Sequence, residues 1–234
     1  MSATGSAQFT PVKEAYRLWA PLYDATPNPL LSLERRCITP MLHSAAECDV
    51  VDFGCGTGRW LAQLANENPR SLTGVDFSAE MLAQASMKRV TGAHLVEADC
   101  LATSLPESSS DWILASFLLS YLDDLRAFAR EAARIARSGG VILLSDVHPE
   151  TRGYGWRKTF RSTDHVIEIE SHAYQIDELQ RAMEDAGFDS TFLHEMSFGE
   201  EERQIYLDAG RPDLFLNVQG LPVLFIAGYR RSGA

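Results

Sequence analysis

The amino-acid sequence predicts an α/β protein, a mostly parallel sheet with helices on both faces. Two observations carry that expectation. From residue 49 onward, short apolar segments alternate with amphipathic ones, and the first apolar segment runs directly into Gly54-Cys55-Gly56-Thr57-Gly58. Alternation at this spacing requires helical crossovers between strands, which sets the strands parallel and buries both faces of the sheet.

Residues 12–23 place Val12, Ala15, Tyr16, Trp19, Leu22 and Tyr23 at helical spacing, and Pro21 predicts a helix that ends or kinks near Ala20. A second helix is expected over Leu30 to Ala45 with a break near Pro40, and residues 1–10 are expected to fray. Strands are then predicted at Asp49 to Phe53, Ser71 to Asp76, His94 to Ala98, Trp112 to Ser116 and Val141 to Ser145. Helices are predicted at Arg59 to Glu67, from the N-cap residue Ser78, and at Asp124 to Ala136, with a turn at Ser138-Gly139-Gly140. After Val147 the rhythm breaks. Val166 to Glu170 alternates like an exposed strand, and Asp177 to Ala186 reads as a helix stopped by Gly187. Two late strands, Ser190 to Glu195 and Val223 to Tyr229, flank a helix and loop over Glu200 to Asn217.

The 234 residues are enough for one domain with a sizeable core, or one domain with a small appendage. With 45% hydrophobic and 23% charged residues the composition is that of a globular protein, and no apolar run has the length of a membrane helix. The polar start, Met1 to Pro11, does not read as a secretory signal. Cys37, Cys48, Cys55 and Cys100 match no zinc spacing and read as reduced thiols, so a cytoplasmic location and no metal are expected. A net charge of −11 repels phosphate backbones and argues against nucleic acid as a partner.

The chemistry concentrates in Val51-Asp52-Phe53-Gly54-Cys55-Gly56-Thr57-Gly58-Arg59. Glycines allow positive φ and let a ligand lie against bare backbone, and the following helix start offers unpaired N–H groups. The nicotinamide-binding pattern Gly-x-Gly-x-x-Gly is the obvious competitor. It would need glycine at position 59 or 61, where the chain has Arg59 and Leu61. The spacing here is Gly-x-Gly-x-Gly, with an acidic residue two positions before it.

This strand and turn resemble the first motif of the class I S-adenosylmethionine-dependent methyltransferases, and the resemblance extends over residues 49–147. It implies a Rossmann-like, seven-stranded, mostly parallel sheet with an N-terminal helical lid. It further implies that Asp52, Gly54, Gly56 and Gly58 meet the methionine end of S-adenosylmethionine. Asp76, 18 residues after Gly58, would accept from both ribose hydroxyls, because two diol donors match two carboxylate oxygens. Phe77 and Ser78 continue the match, with Met81 placed near the adenine. Asp99 and Cys100 correspond to the positions that hold the adenine amino group and a ring nitrogen. Ser116, Phe117 and Tyr121, at the end of the fourth strand, correspond to the segment that lines the methyl donor. The segment Tyr16-Arg17-Leu18-Trp19-Ala20-Pro21-Leu22-Tyr23-Asp24 is similar to the closing segment of small-molecule members, with Tyr16 and Tyr23 over the methionine end; the other reading is an amphipathic helix that covers the sheet.

The acceptor site is expected beyond the fifth strand, at the carboxyl end of the sheet, where doubly wound folds bind ligands. His148 is the candidate general base or substrate contact, since its ordinary pKa suits proton transfer. Trp19, Tyr154, Trp156 and Arg157 are candidate substrate contacts, for a planar or aromatic small molecule, acidic or neutral. The aromatic and basic stretch 153–161 also reads as a loop packed on the N-terminal helices. The organisation expected is a helical cap over 1–45 and one methyltransferase unit over 46–234, with insertions near 148–172 and 198–218. Asn- or Asp-Pro-Pro-aromatic, the mark of amino-methylating nucleic-acid enzymes, is absent from Ser116 to Leu119, and no carboxylate cluster suggests magnesium. A non-catalytic S-adenosylmethionine-binding module and a nicotinamide oxidoreductase remain as alternatives. Neither the acceptor atom nor the oligomeric state is written in the sequence.

Overall fold

The computed structural model of the chain describes residues 8–25, 27–161 and 166–233. In chain order its elements are β1 (Gln8–Thr10), α1 (Val12–Trp19), α2 (Pro29–Ile38), β2 (Asp49–Phe53), α3 (Arg59–Leu64), β3 (Ser71–Asp76), α4 (Ala79–Met87), β4 (Ala93–Glu97) and β5 (Ser110–Ser116). They continue with α5 (Leu125–Ile135), β6 (Ala136–Val147), β7 (Thr159–Arg161), β8 (Val166–Ile169), α6 (Ile176–Asp185), β9 (Phe188–Met196), α7 (Glu200–Asp208), α8 (Pro212–Leu216) and β10 (Leu224–Arg231). Short 3-10 turns extend α1 at Ala20–Leu22 and α2 at Thr39–Ala45, where Pro21 and Pro40 remove backbone donors.

Seven strands form one sheet in the order β4-β3-β2-β5-β6-β10-β9, parallel from β4 to β6. Only β10 runs antiparallel to its neighbours. This is the α/β, mostly parallel sheet that the alternating pattern predicts. Successive side chains of a strand point to opposite faces. Val51, Phe53, Ile113, Ile142 and Leu144 therefore pack with Phe128 and Ala132 of α5 and with Leu179 and Met183 of α6. Val50, Trp112, Leu114 and Leu143 pack on the other face with Leu33 and Ile38 of α2 and with Leu61 and Leu64 of α3. Strand order reverses between β2 and β5, which opens a crevice at their carboxyl ends.

Two expectations are corrected. Residues 8–10 do not fray: β1 pairs in parallel with β8, which pairs antiparallel with β7, and a second three-stranded sheet results. Its inner face joins Phe160, Ile167 and Ile169 to Ala15, Leu18 and Trp19 of α1. The pairing partners lie about 160 positions apart, so no local pattern announces them. Ser138-Gly139-Gly140 is not a separate turn either. β6 begins at Ala136, directly after α5, and Gly139 (φ 77°) lies within it. The pairing with β5 shifts register between Ser110 and Trp112, so the two glycines sit in an irregular stretch of ladder.

What docks α2 onto the sheet is a buried carboxylate. Glu34 is fully buried and accepts from the Arg59 guanidinium, from Ser116 Oγ at 2.6 Å, and from Ser145 Oγ. Arg59 opens α3, while Ser116 and Ser145 stand at the carboxyl ends of β5 and β6. Trp60 Nε1 donates to the same Ser116 oxygen at 3.0 Å. Removing one partner of a buried ion pair strands the other, at about 3–5 kcal/mol. Glu34→Gln should therefore lower the unfolding free energy by about 3 kcal/mol in urea denaturation, with Arg59 left partly uncompensated. A loss below about 1 kcal/mol would mean that α2 is held by apolar contacts alone.

Candidate active site

The glycine turn lies where β2 meets α3. Gly54, Gly56 and Gly58 have φ of 66°, 53° and 75°, in the left-handed region that favours glycine. A Cβ on Gly54 would stand 2.9 Å from Leu118 Cδ1, whereas a Cβ on Gly56 would meet nothing within 4 Å. The turn is thus pressed against the β5–α5 loop at one glycine and offers bare backbone to the crevice at the next. Asp76, buried at the end of β3, staples it: Oδ2 accepts from Gly56 N at 2.8 Å and Oδ1 from Ser78 N at 2.9 Å. The Phe77 N–H also faces this carboxylate, which with four lone-pair sites keeps acceptor capacity for a diol. Burial raises the Asp76 pKa, and these backbone N–H groups oppose the rise. Ser78 caps α4 by accepting from Met81 N at 3.2 Å, and Met81 is fully buried beneath that turn. Phe77 approaches Tyr16 edge-on, at 6.3 Å between ring centroids. After β4, exposed Asp99 accepts from Leu101 N at 2.8 Å. Cys100 is buried, and burial drives its thiol pKa upward.

Two polar groups in this crevice lack partners. Both carboxylate oxygens of Asp52 are buried without a hydrogen bond, and so is Nη1 of Arg59. Burial pushes the Asp52 pKa well above the usual range, with the Arg59 charge pulling it back. Unpaired buried polar groups are rare in native proteins and mark strain or an absent ligand.

The α1 region closes over the turn. Asp24 pairs with Lys88 Nζ at 2.8 Å, and Thr57 Oγ1 donates to Asp24 at 2.9 Å, which fixes the segment after Tyr23 to the glycine turn and to α4. Tyr16 and Tyr121 meet edge-on, with ring centroids 5.2 Å apart. Burial pushes both upward in pKa, and lifts Tyr23 to about 12, so all three hydroxyls stay neutral. Trp19 packs on Tyr23 at 4.6 Å and stacks on Phe160 at 5.0 Å.

Beside this closure lies a cavity of about 170 Å³. Its walls include Tyr16, Trp19, Tyr23, Phe117, Tyr121 and Trp156. Phe117 holds φ 50°, a conformation that costs a non-glycine residue about 1–3 kcal/mol and turns the chain sharply after β5. The polar floor consists of Ser120, Asp146 and Lys158, with Arg152 and Arg157 at other points of the wall. The structure therefore brings Tyr16, Trp19, Tyr23, Phe117, Tyr121, Trp156 and Arg157 together.

Other predicted residues stand elsewhere. Ser116 does not line the cavity; its hydroxyl is committed to Glu34, Trp60 and Arg59. The structure does not bring His148 to the cavity either. Its ring is buried, Nε2 lies 2.7 Å from Glu195 Oε1, and Nδ1 accepts from Glu150 N at 3.3 Å. Nδ1 thus holds the turn that begins at Pro149, and Nε2 ties the ring to β9. Tyr154 is outside as well, with its hydroxyl on Glu150 at 2.8 Å. Sequence reasoning missed Glu34, Arg59 and the Asp24 contacts; it raised Asp146 as a partner of His148 or of substrate and Lys158 as part of a basic patch with Arg152, Arg157 and Arg161, but not their pairing with each other and with Ser120. Arg59 follows the third glycine and had a positional signal; the others are made by contacts across the chain. Among the described residues no three His, Cys, Asp or Glu side chains converge to hold a metal.

A family model described as a methyltransferase domain matches residues 51–144. The chain is 36% identical over 123 residues to a demethylmenaquinone methyltransferase of Roseiflexus castenholzii, covering 50% of this chain and 51% of that protein. It is 33% identical over 112 residues to a malonyl-[acyl-carrier protein] O-methyltransferase of Enterobacter lignolyticus, covering 46% and 43%. The chain thus spans about half the length of these curated relatives. The crystal structure of an S-adenosylmethionine-dependent methyltransferase from Mesorhizobium loti superposes with a TM-score of 0.70 at 20% identity, covering 87% of this chain and 100% of that one. The matched segment, the sheet order and the glycine turn agree: residues 51–144 are similar to a methyltransferase domain, and the chain shares the fold of the Mesorhizobium loti S-adenosylmethionine-dependent methyltransferase.

Proposed function

We propose that this chain transfers a methyl group from S-adenosylmethionine to a small-molecule acceptor held in the aromatic cavity. The carrying observation is the pair of unsatisfied groups beside the glycine turn. A buried carboxylate and a buried guanidinium nitrogen match the ammonium and carboxylate of an α-amino acid, and the open space at Gly56 admits its chain. The residues present therefore fit the methionine end of the cofactor. Asp76 would take the ribose diol, and Phe77, Ser78, Met81, Asp99 and Cys100 would surround the adenine. The sulfonium supplies a methyl group already activated toward nucleophiles. The chain's own contribution is to position the acceptor and exclude water, which can supply much of the rate. Tyr16, Tyr23 and Tyr121 stand between the glycine turn and the cavity and suit that role.

Support for the acceptor side comes from the walls. Trp19, Trp156 and Arg157 present flat apolar surface and a cation. Demethylmenaquinone and malonyl-[acyl-carrier protein] are the acceptors in the relatives' names, and a small acceptor, free or carried on a protein, accords with both. In this reading His148 serves through Pro149, which it fixes at the cavity wall; direct proton transfer would require its ring to leave Glu195. Residues 1–45 act as the cap that closes over both ligands.

Isothermal titration with S-adenosylhomocysteine tests the cofactor side. Asp52→Asn and Arg59→Lys should each weaken binding by about tenfold or more, since each removes a charge-assisted contact; Arg59→Lys keeps a cation for Glu34. Wild-type protein that ignored S-adenosylhomocysteine would defeat the proposal.

The raised pKa of Asp52 adds a pH signature. Folded protein keeps this proton to higher pH than the unfolded chain, so ionising Asp52 costs the ligand-free fold stability as pH rises above the carboxylate range. A bound ammonium reverses that cost. The thermal stabilisation given by S-adenosylhomocysteine should accordingly grow as pH rises above the ordinary carboxylate range in the wild type. Scanning calorimetry of Asp52→Asn should show the growth lost; an unchanged pH dependence would exclude Asp52 as the ammonium partner.

A further inference from the structure

The cavity floor carries more charge organisation than an apolar ring needs. The protein has a net charge of −11, yet the cavity is lined by three cations, Arg152, Arg157 and Lys158, and by one carboxylate, Asp146. The two arginines are engaged at the loop. Arg152 Nη2 donates to Ser171 O at 2.5 Å and to Ser171 Oγ at 2.7 Å, and Arg157 Nη1 donates to Trp156 O at 2.8 Å, with Glu168 3.8 Å from its Nε. Lys158 is the deep cation. Its side chain is 18% exposed, and Nζ sits 4.4 Å from the Tyr121 ring centroid. The ammonium donates to Asp146 Oδ1 at 2.9 Å and to Ser120 Oγ. Those are two acceptors for a group with three N–H donors.

Asp146 is built to hold this lysine. Its carboxylate is buried and accepts from Ser120 N at 2.8 Å and Val147 N at 2.7 Å, so backbone fixes both oxygens. Desolvating a lysine requires such a partner. With the Lys158–Asp146 and Arg157–Glu168 pairs neutral, the remaining charge of Arg152 leaves the site attractive to a single added negative charge. Aromatic rings above the pair favour a flat body.

We propose that Lys158 is a specificity-determining residue that grips a carboxylate on a planar, apolar acceptor. The proposal rests on the cavity being the acceptor site. One spare N–H and a 170 Å³ cavity suit a singly charged carboxylate better than a phosphate dianion.

The test is binding of 4-hydroxybenzoate and its neutral counterpart 4-hydroxybenzamide to the full chain, followed by calorimetry and by tryptophan fluorescence, with and without saturating S-adenosylhomocysteine. Wild type should prefer the carboxylate by about tenfold. Lys158→Met should erase that preference, keep amide binding, and leave S-adenosylhomocysteine affinity within about threefold; Lys158→Arg should restore the preference. Equal binding of the two probes to wild type, no binding of either, or a preference that survives in Lys158→Met would each overturn the proposal. Failure of S-adenosylhomocysteine to bind would instead strike the cofactor reading, because the carboxylate preference is read separately in its absence.

Discussion

Glu34 is the interaction on which the arrangement depends. Its carboxylate leaves α2, crosses the carboxyl end of the sheet and meets groups from α3, β5 and β6. A buried ion pair is weak evidence for net stability, because desolvation offsets much of its attraction. Its value here is positional. One charge fixes the α2 cap, the end of the glycine turn and the two strands that border the crevice. The same Arg59 that satisfies Glu34 through Nη2 has a buried, unpaired Nη1, and its charge acts on Asp52. Under the proposed function, the docking of α2 and the grip on the cofactor would share one guanidinium.

The crevice and the cavity answer different physical demands. The crevice needs close approach to backbone, and the glycines provide it. The cavity needs flat walls and a defined charge, and it draws those from segments far apart in sequence: α1, the loop after β5, the end of β6 and the strand entering β8. Desolvation lifts the pKa of Tyr16, Tyr23 and Tyr121 still further above neutrality, so these hydroxyls bring no charge to the cavity wall.

Much of the sheet was legible because the signal was local. Asp49–Phe53 and Ser71–Asp76 were read to their ends from apolar runs bounded by turn residues, Ser78 was visible as a cap, and Asp124, read as the first residue of its helix, is the cap. The glycine spacing was legible for the same reason. β1 and β7 were not, since three-residue strands have no measurable period and gain definition only from partners. The reading of His148 followed its chemistry and its place after a strand. Its Glu195 partner lies 47 residues on, across β10 from the β6 end, and no spacing rule joins them. Glu34 and Lys158 share that difficulty: Glu34 reaches Ser145 over 111 positions, and Lys158 was visible only as one charge of a basic stretch.

The small second sheet has a further consequence. Its strands come from the beginning of the chain and from the segment after β6, and they pair with each other rather than with the main sheet. The patch that walls the cavity through Phe160's stack on Trp19 is therefore hydrogen-bonded as a unit apart from the seven strands that shape the crevice. Substitutions in that patch can reshape the cavity wall while the seven-stranded sheet and the crevice at its carboxyl end keep their own hydrogen-bonded frame.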